Sequence, residues 1–226
     1  MREPFDRAGW LAGMPDDFRR AVLDRAMPRQ YRAGESLHSE GDESNRMYGV
    51  AAGTVRLLLS AVDHGPYCGH LLRPGQWAGD GPTISGAPRP VSLFSSGPST
   101  ILILPKAAIA EVIALDPSYW RHFVAGTTLN LALAFGAIAD LMLRDHRKRL
   151  VATLLRIAGV RSGPVRGDQD LSVEVSQADL AAMSNLARTT VVATLRELED
   201  AGLLRVGYRC ITILSATRLR AELAEG

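Results

Sequence analysis

The order of apolar and polar positions changes character twice along this chain. Residues 5–27 carry a short amphipathic pattern with Phe5, Trp10, Leu11, Phe18, Val22 and Leu23 as its apolar positions. That spacing predicts one or two short helices. From Tyr31 to Leu104, short runs rich in β-branched and aromatic residues (MYGVAAGTVRLLLS, YCGHLL, STILILP) alternate with glycines at 34, 41, 53, 65, 69, 75, 79, 86 and 97. Strands of that length between turn residues predict a small antiparallel β-barrel or roll. Pro105 closes the last strand, and Lys106–Leu115 reads as a short helix that ends before Asp116-Pro117.

Ser118 to about Leu143 is long and helical. Val124, Thr127, Leu131, Ala134, Ile138 and Leu141 recur at spacings of 3, 4, 3, 4 and 3. Such a seam calls for a partner helix. A helix lying on its own β-domain leaves a comparable stripe, but the length of the seam and its lack of charge favour pairing of two chains. Asp145 is placed to cap a further helix, His146–Gly159, with Leu150, Val151, Leu154, Leu155 and Ile157 inward. A loop containing Gly163, Pro164 and Gly167 follows, and then the short strand LSVEV.

The stretch from Ser176 to Leu204 reads as two short helices joined by a tight turn. Ser176 is a good N-cap for Gln177–Met183, and Asp179 adds acid to the first turn. Leu180 and Met183 point to the core. Asn185 stands where the chain turns, and asparagine tolerates the left-handed conformation better than most residues. The second helix spans about Arg188 to Asp200, with Val191, Leu195 and Leu198 as its buried stripe. Gly202 ends it. Leu203–Val206 and Arg209–Ile213 around Gly207-Tyr208 form a hairpin. A helix presented in this way fits the major groove of double-stranded DNA. Its outward N-terminal face carries Arg188, Thr189, Thr190, Val192, Ala193 and Arg196. Arg188 is the candidate base reader, since a guanidinium can bond guanine O6 and N7 together. Thr189 suits a base or a phosphate, while Arg196 and Gln177 suit the backbone, which sets position rather than sequence.

Charge adds a little to this picture. Residues 1–145 hold 14 Lys/Arg and 15 Asp/Glu, and residues 146–226 hold 12 and 9. The basic excess therefore lies with the two-helix unit, as phosphate contact requires. Two distant cysteines, Cys68 and Cys210, form neither a disulfide framework nor a metal motif. The five histidines, at 38, 64, 70, 122 and 146, include no H-x-H pair, so a metal oxygenase on the roll is disfavoured. No catalytic or metal-binding residue is assigned. The opening MREPFDRAGW lacks the apolar core of a secretory signal. The uncharged run Phe123–Ala139 is shorter than a membrane span. A soluble cytoplasmic protein without a membrane partner is the expectation.

At this point the chain resembles the cAMP receptor protein/FNR family of bacterial transcription regulators, over roughly residues 28–214. The β-region carries AGESLHSEGD (Gly34, Glu35, Gly41, Asp42), AAGTVRLLL (Gly53) and LRPGQWAGD (Gly75, Gly79). LRDHRKRLVATLLRIA is similar to the family's hinge and first DNA-domain helix, with Asp145 at the hinge. SQADLAAMSNLARTTVVATLRELEDAGLL is similar to its helix-turn-helix. The resemblance implies an α+β chain in three parts. These are a β-roll sensor over 1–116, a dimerisation helix and hinge over 117–145, and a winged helix-turn-helix over 146–226. It implies a homodimer on a palindromic operator with half-sites about one helical turn apart, and RNA polymerase as a further partner. Thr189 and Ala193 stand where the cAMP receptor has Glu and Arg, so its operator does not transfer.

The family's cyclic-nucleotide binders hold phosphate in a cassette of Gly-Glu, apolar residues, then Pro-Arg-Ser/Ala. Here the run is GDGPTISGAPRPVS. Gly79 and Arg89 are in place. Asp80 replaces Glu and is one methylene shorter, and Pro90 removes a backbone N–H. The adenine-gripping Thr-Ser pair aligns with Ala134-Phe135, which offers no hydrogen bond. These six residues are the candidate effector site, and its substitutions argue against cAMP. A different small molecule or none remains open, with Arg89 then a surface or structural residue. No cofactor is assigned. The oxygen-sensing branch needs an N-terminal cysteine cluster, and none precedes Cys68. Cys68-Gly-His70 resembles the C-x-H of haem-binding CO sensors but lies about ten residues too early. A thiol and an imidazole on a half-buried strand is the plainer reading. A ligand-binding module without DNA binding is the alternative to a regulator, and the Arg188 face argues against it.

Overall fold

Alternation within single strands builds the first half of the molecule. The computed structural model describes residues 1–60, 65–161 and 171–224; His64 and the loop through Gly163, Pro164 and Gly167 lie outside them. Three short helices open the chain, α1 (Glu3–Arg7), α2 (Gly9–Ala12) and α3 (Asp16–Arg25), where the sequence pattern predicts one or two. Eight strands follow: β1 (Met27–Tyr31), β2 (Ser36–His38), β3 (Arg46–Ala52), β4 (Val55–Leu59), β5 (Tyr67–Leu72), β6 (Trp77–Ala78), β7 (Ser92–Ser95) and β8 (Ser99–Pro105). A short helix, α4 (Asp80–Ser85), interrupts them. The strands form two sheets, ordered β1-β8-β3-β6 and β2-β7-β4-β5, in which β1 with β8, β8 with β3, β3 with β6, β2 with β7 and β7 with β4 pair antiparallel. This is the β-roll that the short strands and glycine turns predict.

Successive residues of a strand face opposite ways, and here both faces are covered. Met47 and Ala51 of β3, with Leu102 and Leu104 of β8, join Phe5, Trp10, Phe18, Trp77 and Phe123 in one apolar cluster. Tyr48 and Val50, with Ile101 and Ile103, join Tyr31, Val55, Leu72 and Leu93 in the other. The register places Met47 opposite Leu104 and Tyr48 opposite Ile103, so each cross-strand pair feeds a single cluster. Trp10 Nε1 donates to the carbonyl of His122 at 2.6 Å, satisfying the one polar atom of a buried indole.

After α5 (Lys106–Leu115) and a 3₁₀ turn at Pro117–Tyr119, the long helix α6 covers Trp120–Leu141. The second half has its own helices and sheet: α7 (His146–Ile157), β9 (Leu171–Glu174), α8 (Gln177–Ser184), α9 (Arg188–Asp200), β10 (Leu204–Gly207), β11 (Cys210–Ile213) and α10 (Ala216–Ala224). Its sheet is ordered β10-β11-β9. The chain divides into two compact units, Met1–Pro66 with Leu71–Ala132 and Tyr67–His70 with Leu133–Gly226.

Local signals place the helix ends of the second unit. Asp145 accepts from the backbone N–H of Lys148 at 2.8 Å and so caps α7. Ser176 accepts from the N–H of Asp179 at 3.0 Å and caps α8. Asn185 takes up the left-handed conformation, φ 49°. The residues expected inward on α7, α8 and α9 are all buried: Leu150, Val151, Leu154, Leu155, Ile157, Leu180, Met183, Val191, Leu195 and Leu198. Truncating such a leucine to alanine typically costs about 2–5 kcal/mol.

The face of α6 corrects two expectations. By length and composition the segment Pro117–Leu141 is able to cross a membrane, whereas the uncharged run alone counts as too short. The apolar stripe is also broader than the predicted seam. Val124, Leu131, Phe135, Ile138 and Met142 are each more than half exposed, at spacings of 7, 4, 3 and 4. Ala134 and Leu141 are exposed beside them, while Thr127 is half-buried.

Candidate nucleic-acid interface

Helix α9 turns its two kinds of charge to different uses. Arg188, Thr189, Ala193 and Arg196 are exposed, and Thr190 and Val192 are half-exposed on its first turns. Among the described residues no hydrogen bond or ion pair engages Arg188 or Arg196. Two of the three acids at the other end, Glu197 and Glu199, are engaged within the protein. Glu197 bonds Arg147 at 3.0 Å, and the same guanidinium bonds Glu222 at 2.9 Å. Glu199 accepts from the N–H of Val206 at 2.8 Å. The N-terminal part of the helix therefore presents free cations together with the positive end of its dipole, a combination that favours polyanions. Gln177, at the start of α8, is half-exposed.

The β10–β11 hairpin forms as the pattern predicts, with its two-residue loop at Tyr208-Arg209, one residue beyond the expected Gly207-Tyr208. Tyr208 is 93% exposed, and Arg209 holds the left-handed conformation at φ 52°. A non-glycine residue in that region costs energy that the surrounding structure must offset. Here the Arg209 carbonyl accepts from the N–H of Val175 at 3.0 Å, and Gly207 pairs with Cys210 across the turn. The two-residue loop between alternating runs was the signal in the sequence.

The cassette in the first unit is built the opposite way. Arg89 is 2% exposed, which rules out a surface role. Its guanidinium donates to the carbonyl of Gly79 at 3.1 Å and to that of Arg46, and stacks over the Tyr48 ring, 5.5 Å from its centroid. Gly79 has φ 84°, and a Cβ there would stand 2.4 Å from Arg89 Nη1. Only glycine therefore permits this approach. The backbone of Arg89 is pinned as well, accepting from Gly41 at 2.9 Å and donating to Asp42 at 3.0 Å. Thr83 donates to the Arg46 carbonyl at 2.7 Å. Pro90 is exposed.

Asp80, also buried, accepts from Nδ2 of Asn130 at 2.8 Å, and that amide donates to the carbonyl of Trp77 at 3.2 Å. Both charged cassette groups thus face the protein's own polar atoms. Burial holds the Arg89 pKa below the usual arginine range, partly offset by Tyr48. His38 stacks on Tyr48 at 5.2 Å, and burial followed by the Arg89 charge lowers its pKa to about 4. Sequence reasoning missed Tyr48, His38 and Asn130, whose roles arise from partners distant in the chain. Ala134 and Phe135 stand exposed on α6. Cys68 is buried and donates to the carbonyl of His70 at 3.6 Å, and the described residues hold no cluster of three or more metal-ligating side chains.

A Crp-like helix-turn-helix domain is recognised over residues 148–222 and a cyclic nucleotide-binding domain over 28–116. The chain belongs to the cAMP receptor protein/FNR family of bacterial transcription regulators. It is 22% identical over 222 residues to a CRP-like cAMP-activated global transcriptional regulator of Mycobacterium tuberculosis, covering 97% of this chain and 98% of that one. Against a cyclic AMP receptor protein of Thermus thermophilus it is 25% identical, with 88% of each chain covered. Its fold matches that of FixK2 from Bradyrhizobium japonicum with a TM-score of 0.72 at 22% identity, over 87% of this chain and 96% of that one. The regulator thus joins a helix-turn-helix DNA-binding domain to a domain of the cyclic nucleotide-binding type.

Proposed function

We propose that the regulator acts as a homodimer on a palindromic operator, under the control of a small effector other than cAMP. The sensor is residues 1–116, the dimerisation helix and hinge 117–145, and the reading domain 146–226. The observation that carries this reading is the exposed stripe Val124, Leu131, Phe135, Ile138 and Met142 on α6. Apolar side chains in heptad positions gain about 25 cal/mol per Å² when a second helix covers them. Val124, Thr127, Leu131, Ala134, Ile138 and Leu141, with Phe135 and Met142 added, form the contact between two copies. A soluble cytoplasmic dimer buries this stripe without any membrane.

Two copies place two α9 helices in successive major grooves, about 34–36 Å apart. Arg188 reads a base, Thr189 and Thr190 flank it, Val192 supplies apolar contact, and Arg196 and Gln177 grip the backbone. Arg205, Arg209 and Tyr208 of the hairpin lie along the neighbouring backbone. RNA polymerase is the protein partner of the DNA-bound dimer. In the sensor, an anionic effector competes with the Gly79 and Arg46 carbonyls for Arg89. Asp80, tied to Asn130, is turned away from a ribose, and this supports a ligand other than a cyclic nucleotide.

Selection of sites from a random DNA library by purified protein, without added ligand, tests this function. An enriched palindrome supports the reading and identifies the operator. Enrichment of a single unpaired half-site refutes the dimeric mode. A folded dimer that selects nothing alone must select a palindrome once an effector is supplied.

A further inference from the structure

Arg156 lies where a charged side chain is least expected. Every residue of α7 from Leu150 to Ile157 is buried, so the only cation of that stretch points inward. Its Nε donates to Oδ2 of Asp140 at 3.0 Å, and the two side chains are 3% and 2% exposed. Oδ1 of the same carboxylate accepts from Nε of Arg161 at 3.0 Å. Nη1 of Arg156 lies 3.3 Å from Nδ1 of His70. A guanidinium only donates, so in this contact the imidazole is neutral and accepts through Nδ1.

These residues come from three separate parts of one compact unit. Asp140 is on the last full turn of α6, Arg156 on the first helix of the reading domain, and Arg161 just beyond it. His70 is on β5, whose residues Tyr67–His70 belong to this unit while Leu71 and Leu72 belong to the first. The same strand continues from His70 to Leu72, which joins the apolar cluster of Tyr48.

We propose that Asp140 and His70 are positioning residues for DNA binding. Asp140 fixes the direction in which the reading domain leaves α6, and His70 conveys the state of the sensor strand to Arg156. This rests on the reading of that domain as the DNA-binding head. Apolar contacts alone would hold α7 against α6 without specifying one orientation. A carboxylate clamped by two guanidinium groups does specify one, and its loss leaves the buried Arg156 without its counter-charge. A shift of β5 that withdraws His70 removes an acceptor from Arg156 and changes the relative stability of the clamped and unclamped arrangements. A ligand acts through such a balance only by favouring one of its states.

The test uses full-length protein and the DNA site selected by the wild type. Asp140→Asn keeps the shape and removes the charge. It should weaken DNA binding at least tenfold and speed tryptic cleavage after Arg144 at the hinge, with secondary structure and dimerisation retained. His70→Leu should weaken binding three- to tenfold, and His70→Asn, whose Oδ1 can take the place of Nδ1, should restore most of it. Wild-type affinity and cleavage rate in both Asp140→Asn and His70→Leu would overturn the proposal, as would His70→Asn behaving like His70→Leu. If Asp140→Asn does not fold, the His70 pair decides. Tryptic cleavage needs no DNA, so a wild type that selects no site with or without effector sinks the DNA reading and leaves this test readable.

Discussion

Arg188 and Arg89 carry the same guanidinium in opposite settings. Arg188 opens α9, is exposed, and has no partner among the described residues. Arg89 lies under the cassette with its donors on two backbone carbonyls. The exposed face of α9 keeps its hydrogen-bonding capacity for a partner, and the cassette turns both terminal guanidinium nitrogens of Arg89 to internal carbonyls. Substitutions should separate along that line. Changes at outward residues should alter association and leave the fold intact, and changes at inward residues should alter stability first.

The largest outward effect belongs to the α6 stripe. Leu131→Asp places a carboxylate at the centre of the apolar contact in both copies, and an unpaired charge buried there costs several kcal/mol. Light scattering should show monomers with unchanged secondary structure; an intact dimer would remove α6 as the interface. Arg89→Ala comes next, on the inward side. It removes one of two donors from each of the Gly79 and Arg46 carbonyls, Thr83 keeping the other, and opens a cavity beside Tyr48, a loss of about 2–4 kcal/mol in unfolding free energy. An unchanged denaturation midpoint would show that the buried guanidinium contributes nothing to the roll. Arg188→Ala should do the reverse. Stability should stay within about 0.5 kcal/mol, while specific DNA binding weakens by about 1–3 kcal/mol and one base position is relaxed. Unaltered base preference would move the reading role elsewhere on α9.

The same division explains what was legible in the sequence. The reading domain is specified by short-range signals: Ser176 as cap, Asn185 for the left-handed turn, Gly202 at the end, and apolar spacing for the core. Its recognition helix therefore runs from Arg188 to Asp200 as expected. The cassette depends on pairs far apart in the chain, Arg89 with Arg46 and Asp80 with Asn130. Spacing carries no information about which way such a charge turns. Arg156 shows the limit most sharply, since local pattern assigns it to solvent and only Asp140, sixteen residues earlier, explains its burial. The α6 stripe falls between these cases. Its periodicity was plain, but Thr127/Ala134/Leu141 and Thr128/Phe135/Met142 satisfy the same heptad, and only exposure showed that Phe135 and Met142 join it.

His38 sharpens the comparison in the smallest and most specific way, because it senses Arg89 without touching DNA. Its pKa of about 4 in the folded chain lies below the ordinary 6.5, through burial first and the Arg89 charge second. Between those values the unfolded chain binds a proton that the folded chain refuses. The contribution to stability is therefore whole above pH 6.5 and is lost as pH falls towards 4. Allowing for solvent screening, the loss amounts to about 1–3 kcal/mol over that window. Urea denaturation between pH 7 and pH 4 should show this slope in the wild type, and His38→Gln should flatten it. In Arg89→Met the slope should persist but shrink, since burial remains and the neighbouring cation is gone. An identical slope in wild type and His38→Gln would mean that another group governs acid stability, and that the cassette does not hold its histidine neutral.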